Sequence, residues 1–106
     1  MDYLFAYGTL QDEKIQQSIF GRTINGKPDL LSGYEKYSIR IPDNSSGTYY
    51  PAIKPSDGQK ISVPGTLLQL RGNELLMADT YEGDSYIRKK LKLESGIIAW
   101  VYIAKY

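Results

Sequence analysis

The 106-residue chain contains no cysteine and no histidine. Without cysteine there are no disulfides, no thiolate nucleophile and no zinc–thiolate centre. Without histidine a Ser–His triad is impossible, and a transition-metal site lacks its commonest ligand. Excess charge of one sign is also missing. Thirteen Lys and Arg against twelve Asp and Glu leave a net charge of +1, too little to draw the chain to nucleic acid or an anionic membrane. No apolar run approaches the ~20 residues that span a bilayer. The start, Met1-Asp2-Tyr3-Leu4-Phe5, has neither the basic region nor the long apolar core of a secretory leader. The cytoplasm is the expected location, and the sequon Asn44-Ser45-Ser46 is then without consequence.

What remains is an ordinary globular composition, 42% hydrophobic and 24% charged, expected to fold as one domain over residues 1–106. Tyrosine stands out, with ten Tyr against two Phe. Tyr suits half-buried strand faces and pocket walls, because its ring is apolar and its tip polar.

Local patterns predict an α+β chain. Tyr3 to Tyr7 reads as a strand stopped by Gly8. Asp12 to Phe20 reads as a short helix, with acidic residues in its first turn and Gly21 past its end. Leu30 to Ile41 contains the alternating strand signal Tyr37-Ser38-Ile39-Arg40-Ile41. Pro42 to Gly47 and Pro55 to Lys60 are turns by composition. Tyr49 to Ile53 is a short strand. Ile61 to Leu70 is another, interrupted at Pro64-Gly65 by a bulge or corner. Asn73 is the expected N-cap of a second helix running through Tyr81, with Gly83 as its stop. Tyr86 to Leu93 and Ile97 to Ala104 form a hairpin around Ser95-Gly96. The expectation is a small mixed β-barrel of about six strands with two short helices.

Two segments carry the chemistry. Tyr7-Gly8-Thr9-Leu10 follows the first strand, and its glycine turn can present backbone N–H groups at a strand end. Asp79-Thr80-Tyr81-Glu82-Gly83, followed by Tyr86 and Arg88, puts a carboxylate at a helix end. Phe5-Ala6-Tyr7-Gly8-Thr9-Leu10 resembles the N-terminal signature of the γ-glutamylcyclotransferase-like superfamily. Asp79-x-x-Glu82-Gly83-x-x-Tyr86-x-Arg88 resembles its second signature, with the acidic catalytic residue at Glu82. Tyr50-Pro51-Ala52, Val63-Pro64-Gly65-Thr66-Leu67 and Trp100-x-Tyr102 fall in the family's order. The resemblance covers residues 3 to 103 and is nearest to the short bacterial-type and γ-glutamylamine cyclotransferase branch. It implies the γ-glutamylcyclotransferase-like fold and release of 5-oxoproline from a small-molecule γ-glutamyl amine or amino acid. It implies Glu82 as the catalytic residue, with Tyr7, Gly8, Thr9, Leu10, Tyr86 and Arg88 binding substrate.

The residues agree with such a reaction. The substrate's own α-amine is the nucleophile, so no enzyme Ser or Cys is required, and ring closure gains from proximity. The α-ammonium must lose a proton and the leaving nitrogen must gain one, and a single carboxylate can do both in turn. A helix C-terminus and partial burial both raise a carboxylate's pKa toward that task. Backbone N–H groups around Gly8, Thr9 and Leu10 are the donors for an oxyanion or a carboxylate. Neither a metal nor another cofactor is expected.

Each piece also has a plainer reading. Gly8 serves the turn alone, or Glu82 is a solvated helix-end acid. Asp79 is a second acid or a structural hydrogen-bond acceptor. Tyr7 and Tyr86 line a pocket or simply pack. Arg88 binds a substrate carboxylate, lies in solvent or pairs with Asp79. A non-catalytic protein binding a small ligand on the same fold is the alternative function. Stacking of single-stranded nucleic acid on a Tyr-rich barrel is a third, which the near-zero net charge disfavours.

Overall fold

The computed structural model describes residues 1–40, 49–56 and 61–105. It shows seven strands and two α-helices in the order β1 (Asp2–Ala6), a 3-10 turn (Thr9–Gln11), α1 (Glu13–Phe20), β2 (Lys27–Ser32), β3 (Tyr34–Arg40), β4 (Tyr49–Pro55), β5 (Ser62–Leu70), α2 (Gly72–Glu82), β6 (Tyr86–Lys92) and β7 (Ile98–Ala104). A five-stranded sheet has the order β2-β5-β1-β7-β6, and β3 and β4 form a separate antiparallel pair. Within the sheet β1 and β7 run parallel, and the other neighbours are antiparallel. Among the described residues no helix is long and apolar enough to cross a membrane.

The α+β class is as expected, and two details differ. Where one strand was expected from Leu30 to Ile41, the described residues belong to two, β2 and β3, because Gly33 takes a φ of +81°, a conformation that turns the chain and that L side chains rarely adopt. The expected barrel is not closed: strand pairing leaves β2 and β6 as the sheet's edges. The sheet curls far enough for the β6–β7 turn to reach the opposite edge. Glu94 N–H donates to Leu30 O at 2.8 Å, and Ser95 Oγ donates to Asp29 at 2.6 Å. The loop expected at 42–47, its sequon, and most of the turn at 55–60 lie outside the described residues.

The alternation of β1, with successive side chains on opposite faces, distributes two cores. Leu4 and Ala6 join Leu68, Leu70, Leu75 and Ala78 between the sheet and the helices. Phe5 and Tyr7 join Leu31, Ile53, Val63 and Val101 on the other face. At roughly 25 cal/mol per Å², each buried Leu, Ile, Val or Phe among them contributes about 1.5–3 kcal/mol.

The interruption expected at Pro64-Gly65 is a change of partner within an unbroken strand. β5 pairs with β2 over 62–67 and with β1 over 66–70, so Pro64 lies beyond the last β1 pair. A Cβ on Gly65 would stand 2.6 Å from Ala6 O and 2.6 Å from Phe5 Cζ. The glycine therefore lets β5 cross the end of β1 just where the Tyr7–Leu10 segment begins.

Both helices start and stop on side-chain or glycine signals. Asp12 Oδ1 accepts the N–H groups of Lys14 (2.8 Å) and Ile15 (3.4 Å), and Gly21 ends α1 with φ +73°. In α2 the preceding residue is Arg71 rather than Asn73, and Arg71 N–H donates to Glu74 Oε1 at 2.9 Å. Glu74 is 3% exposed and is held by a bidentate Arg22 fork at 2.8 Å for each bond, which keeps its carboxyl down at about 2.

Candidate functional site

A cavity of about 230 Å³ opens where the end of β1, α2, β4, β6 and β7 converge. That is below the ~300–1,000 Å³ of sites for drug-sized ligands and suits an amino-acid-sized group. Six of the seven residues expected at the site fall on its wall: Tyr7, Gly8, Thr9, Leu10, Glu82 and Tyr86. Arg88 does not. It lies in a neighbouring groove with Asp79 and Trp100.

The Tyr7–Leu10 segment is held from behind. Gln11 N–H donates to Gly8 O at 3.2 Å and Asp12 N–H to Thr9 O at 2.9 Å, closing the 3-10 turn. The N–H groups at the head of such a turn have no acceptor within it. Buried Gln16 donates to Leu10 O at 2.9 Å and accepts from Ile24 N–H at 2.9 Å, tying the loop to α1. Gly8 has an ordinary negative φ. Its requirement is proximity: a Cβ there would sit 3.1 Å from Pro51 Cγ on β4. Thr9 Oγ1 and Tyr81 OH lie 2.6 Å apart and join the loop to α2.

Glu82 is the last residue of α2, which ends where Gly83 N–H donates to Asp79 O at 3.0 Å. Burial pushes its carboxyl up to about 7. The phenols that surround it are committed elsewhere. Tyr7 OH donates to Tyr102 O at 2.6 Å, Tyr86 OH to Pro51 O at 2.8 Å and Tyr102 OH to Asp79 Oδ1 at 2.7 Å. A phenol has one proton to donate, so these three cannot also stabilise a Glu82 carboxylate. Their own ionisation is opposed first by burial and also by the nearby Glu82 charge: Tyr86 is pushed up to about 12, and Tyr7 and Tyr102 are raised further.

Asp79, one turn back on the same helix, is the opposite case. Arg88 donates to both of its oxygens (2.6 and 2.9 Å), and Tyr102 adds a third bond. Arg88 first and Tyr102 next hold its carboxyl below the usual range, against the effect of burial. The Arg88 guanidinium also stacks 4.4 Å from the Trp100 ring centroid. Of the readings open for Asp79 and Arg88, the structure shows their mutual ion pair.

The residues missed in the sequence are mainly tyrosines. Tyr50, Tyr81 and Tyr102 join the expected Tyr7 and Tyr86, so that five of the ten line the cavity. Their excess was the available signal, together with Tyr50-Pro51-Ala52 and Trp100-x-Tyr102. The wall carries one acidic side chain and no Lys or Arg among the described residues. Among those residues, too, no group of three or more acidic side chains is placed to hold a metal ion.

Residues 4–106 match the family described as "Gamma-glutamyl cyclotransferase, AIG2-like", and the chain belongs to that family. It is 29% identical over 91 residues to AIG2-like protein C of Arabidopsis thaliana, covering 85% of this chain and 48% of that protein. Protein AIG2 C of the same plant is 29% identical over 85 residues, covering 80% and 47%. The chain thus spans about half the length of the curated relatives it matches. The solution structure of an Arabidopsis thaliana protein superposes with a TM-score of 0.78 at 25% identity, over 97% of this chain and 61% of that one. A solved γ-glutamyl cyclotransferase superposes with a TM-score of 0.81 at 16% identity, over 98% and 66%, a likeness of fold.

Proposed function

We propose that the protein is a γ-glutamyl cyclotransferase that releases 5-oxoproline and a free amine from a small γ-glutamyl amine or amino acid, with Glu82 as general acid and base. The supporting observation is a carboxyl, the one acidic group on the wall among the described residues, that burial pushes up to about 7 in an amino-acid-sized cavity which the Gly8 turn also lines. A group half ionised at neutrality both accepts and returns protons efficiently. Family membership supplies the reaction class. The expected setting is the cytoplasm.

In this reading the ionised Glu82 takes one proton from the substrate α-ammonium. The freed nitrogen attacks the γ-carbonyl carbon, forming the ring C–N bond and placing charge on the carbonyl oxygen. N–H groups at the head of the 8–11 turn receive that charge, or hold the α-carboxylate, since no described residue on the wall is cationic. Protonated Glu82 then gives its proton to the γ-nitrogen, the γ C–N bond breaks, and the oxyanion collapses to the lactam carbonyl. Glu82 next takes the second proton from the ring nitrogen and returns it to the departing amine. Two protons leave the α-nitrogen, two reach the leaving amine, and the enzyme ends as it began.

The test is release of 5-oxoproline from a panel of γ-glutamyl amines and γ-glutamyl amino acids by wild type and Glu82→Gln. Turnover by wild type alone is expected. Ligand binding without turnover by either protein would replace this reading with that of a binding protein on the same fold.

A further inference from the structure

Tyr102 lies near two of the three carboxyls of α2, Asp79 and Glu82. Its hydroxyl donates to Asp79 Oδ1 at 2.7 Å, and its ring lines the cavity that holds Glu82, close enough for the Glu82 charge to oppose its ionisation. One phenol proton can serve one of these acceptors. Asp79 has the stronger claim, because Arg88 fixes its position and its charge through two further bonds.

We propose that Asp79 is a positioning residue: by taking the Tyr102 proton it keeps that phenol from donating to the Glu82 carboxyl. This deepens the assignment of Glu82 as acid and base and rests on it for its catalytic meaning, but not for its test. The other groups around Glu82 are Tyr7 after β1, Tyr50 on β4, Tyr81 on α2 and Tyr86 on β6. Tyr37 on β3 acts on Tyr7 and Tyr86 in turn. Tyr7 and Tyr86 already donate to backbone carbonyls, and Tyr81 shares a hydrogen bond with Thr9 in which either hydroxyl can be the donor. Tyr102 is the phenol whose proton is held by another carboxylate, so its direction is set by a side chain that can be removed. The charged groups facing it are Asp79, Arg88 and Glu82.

Removing Asp79 frees the Tyr102 hydroxyl to donate to ionised Glu82, which favours the charged form. The experiment is a ¹³C NMR titration of the Glu82 side-chain carboxyl, assigned with Glu82→Gln, in the full chain without substrate. In Asp79→Ala the midpoint should fall by about one unit from its wild-type value. In Tyr102→Phe it should stay in place, and in the double variant it should return to the wild-type value. A midpoint unmoved in Asp79→Ala overturns the proposal. A fall that persists in the double variant also overturns it, assigning the effect to the unpaired Arg88 charge. If Asp79→Ala does not fold, Asp79→Leu, which likewise offers no acceptor, gives the same comparison with and without Tyr102→Phe. Because the readout is a carboxyl titration, absence of cyclotransferase activity would leave it standing, and its failure would leave the activity standing.

Discussion

Asp79 and Glu82 are both acids, one turn apart on α2, and their pKa values are displaced in opposite directions. Asp79 meets a bidentate arginine and a phenol donor, and its charge is held on at lower pH than usual. Glu82 faces a cavity walled by phenols whose protons go elsewhere, and its charge is held off up to about pH 7. The consequences for stability have opposite signs. Asp79, with its lowered pKa, adds stability that is present above the ordinary carboxylate range and is lost as pH falls through the folded value. Glu82, with its raised pKa, adds stability that is full below about 4.5 and is lost as pH rises through about 7. One helix end thus carries a carboxyl kept charged by its donors and another kept neutral by burial.

The contrast breaks most severely at Glu82 itself. Glu82→Gln keeps the shape and removes the proton acceptor, so kcat for 5-oxoproline release should fall by about 10²–10⁴-fold, measured at saturating substrate. Gly8→Val acts on the facing wall. Its added carbons meet Pro51 from 3.1 Å outward, displacing the turn from β4, and kcat/KM should fall by about 10²-fold for a shift of roughly 1 Å.

Glu82→Gln also sharpens the comparison through stability. Urea unfolding should show the variant more stable than wild type at pH 8 by up to about 3 kcal/mol, with the gain vanishing near pH 4. The smallest effect belongs to the other carboxyl. Arg88→Lys retains the charge but loses the fork and the stacked guanidinium plane, and should lower stability by about 1 kcal/mol at neutral pH. The urea midpoint reads it.

Much of this arrangement was legible in the chain because its signals are local. A strand ending in Gly8 and a helix stopped by Gly83 put the turn and Glu82 in view, and Asp12 and Gly21 bracketed α1 nearly to the residue. β2 was hidden, since Lys27-Pro28-Asp29-Leu30-Leu31-Ser32 buries Leu31 alone and takes its regularity from pairing with β5. That the expected barrel stays open was equally hidden, because it depends on how far β2 and β6 curl toward each other. The excess of tyrosine was visible, but which five of ten converge is decided by packing between distant strands. Arg88 illustrates the same limit. Its spacing from Asp79 left pairing and substrate binding open, and the register of β6 beside the α2 terminus sets the pair.

The most direct measurement is the pH dependence of kcat/KM for 5-oxoproline release by the wild-type protein. Burial of Glu82 predicts an acid limb of unit slope with its midpoint near pH 7. Activity that continues undiminished down to the ordinary carboxylate range, near pH 4.5, would contradict the assignment of Glu82 as the group that carries the protons.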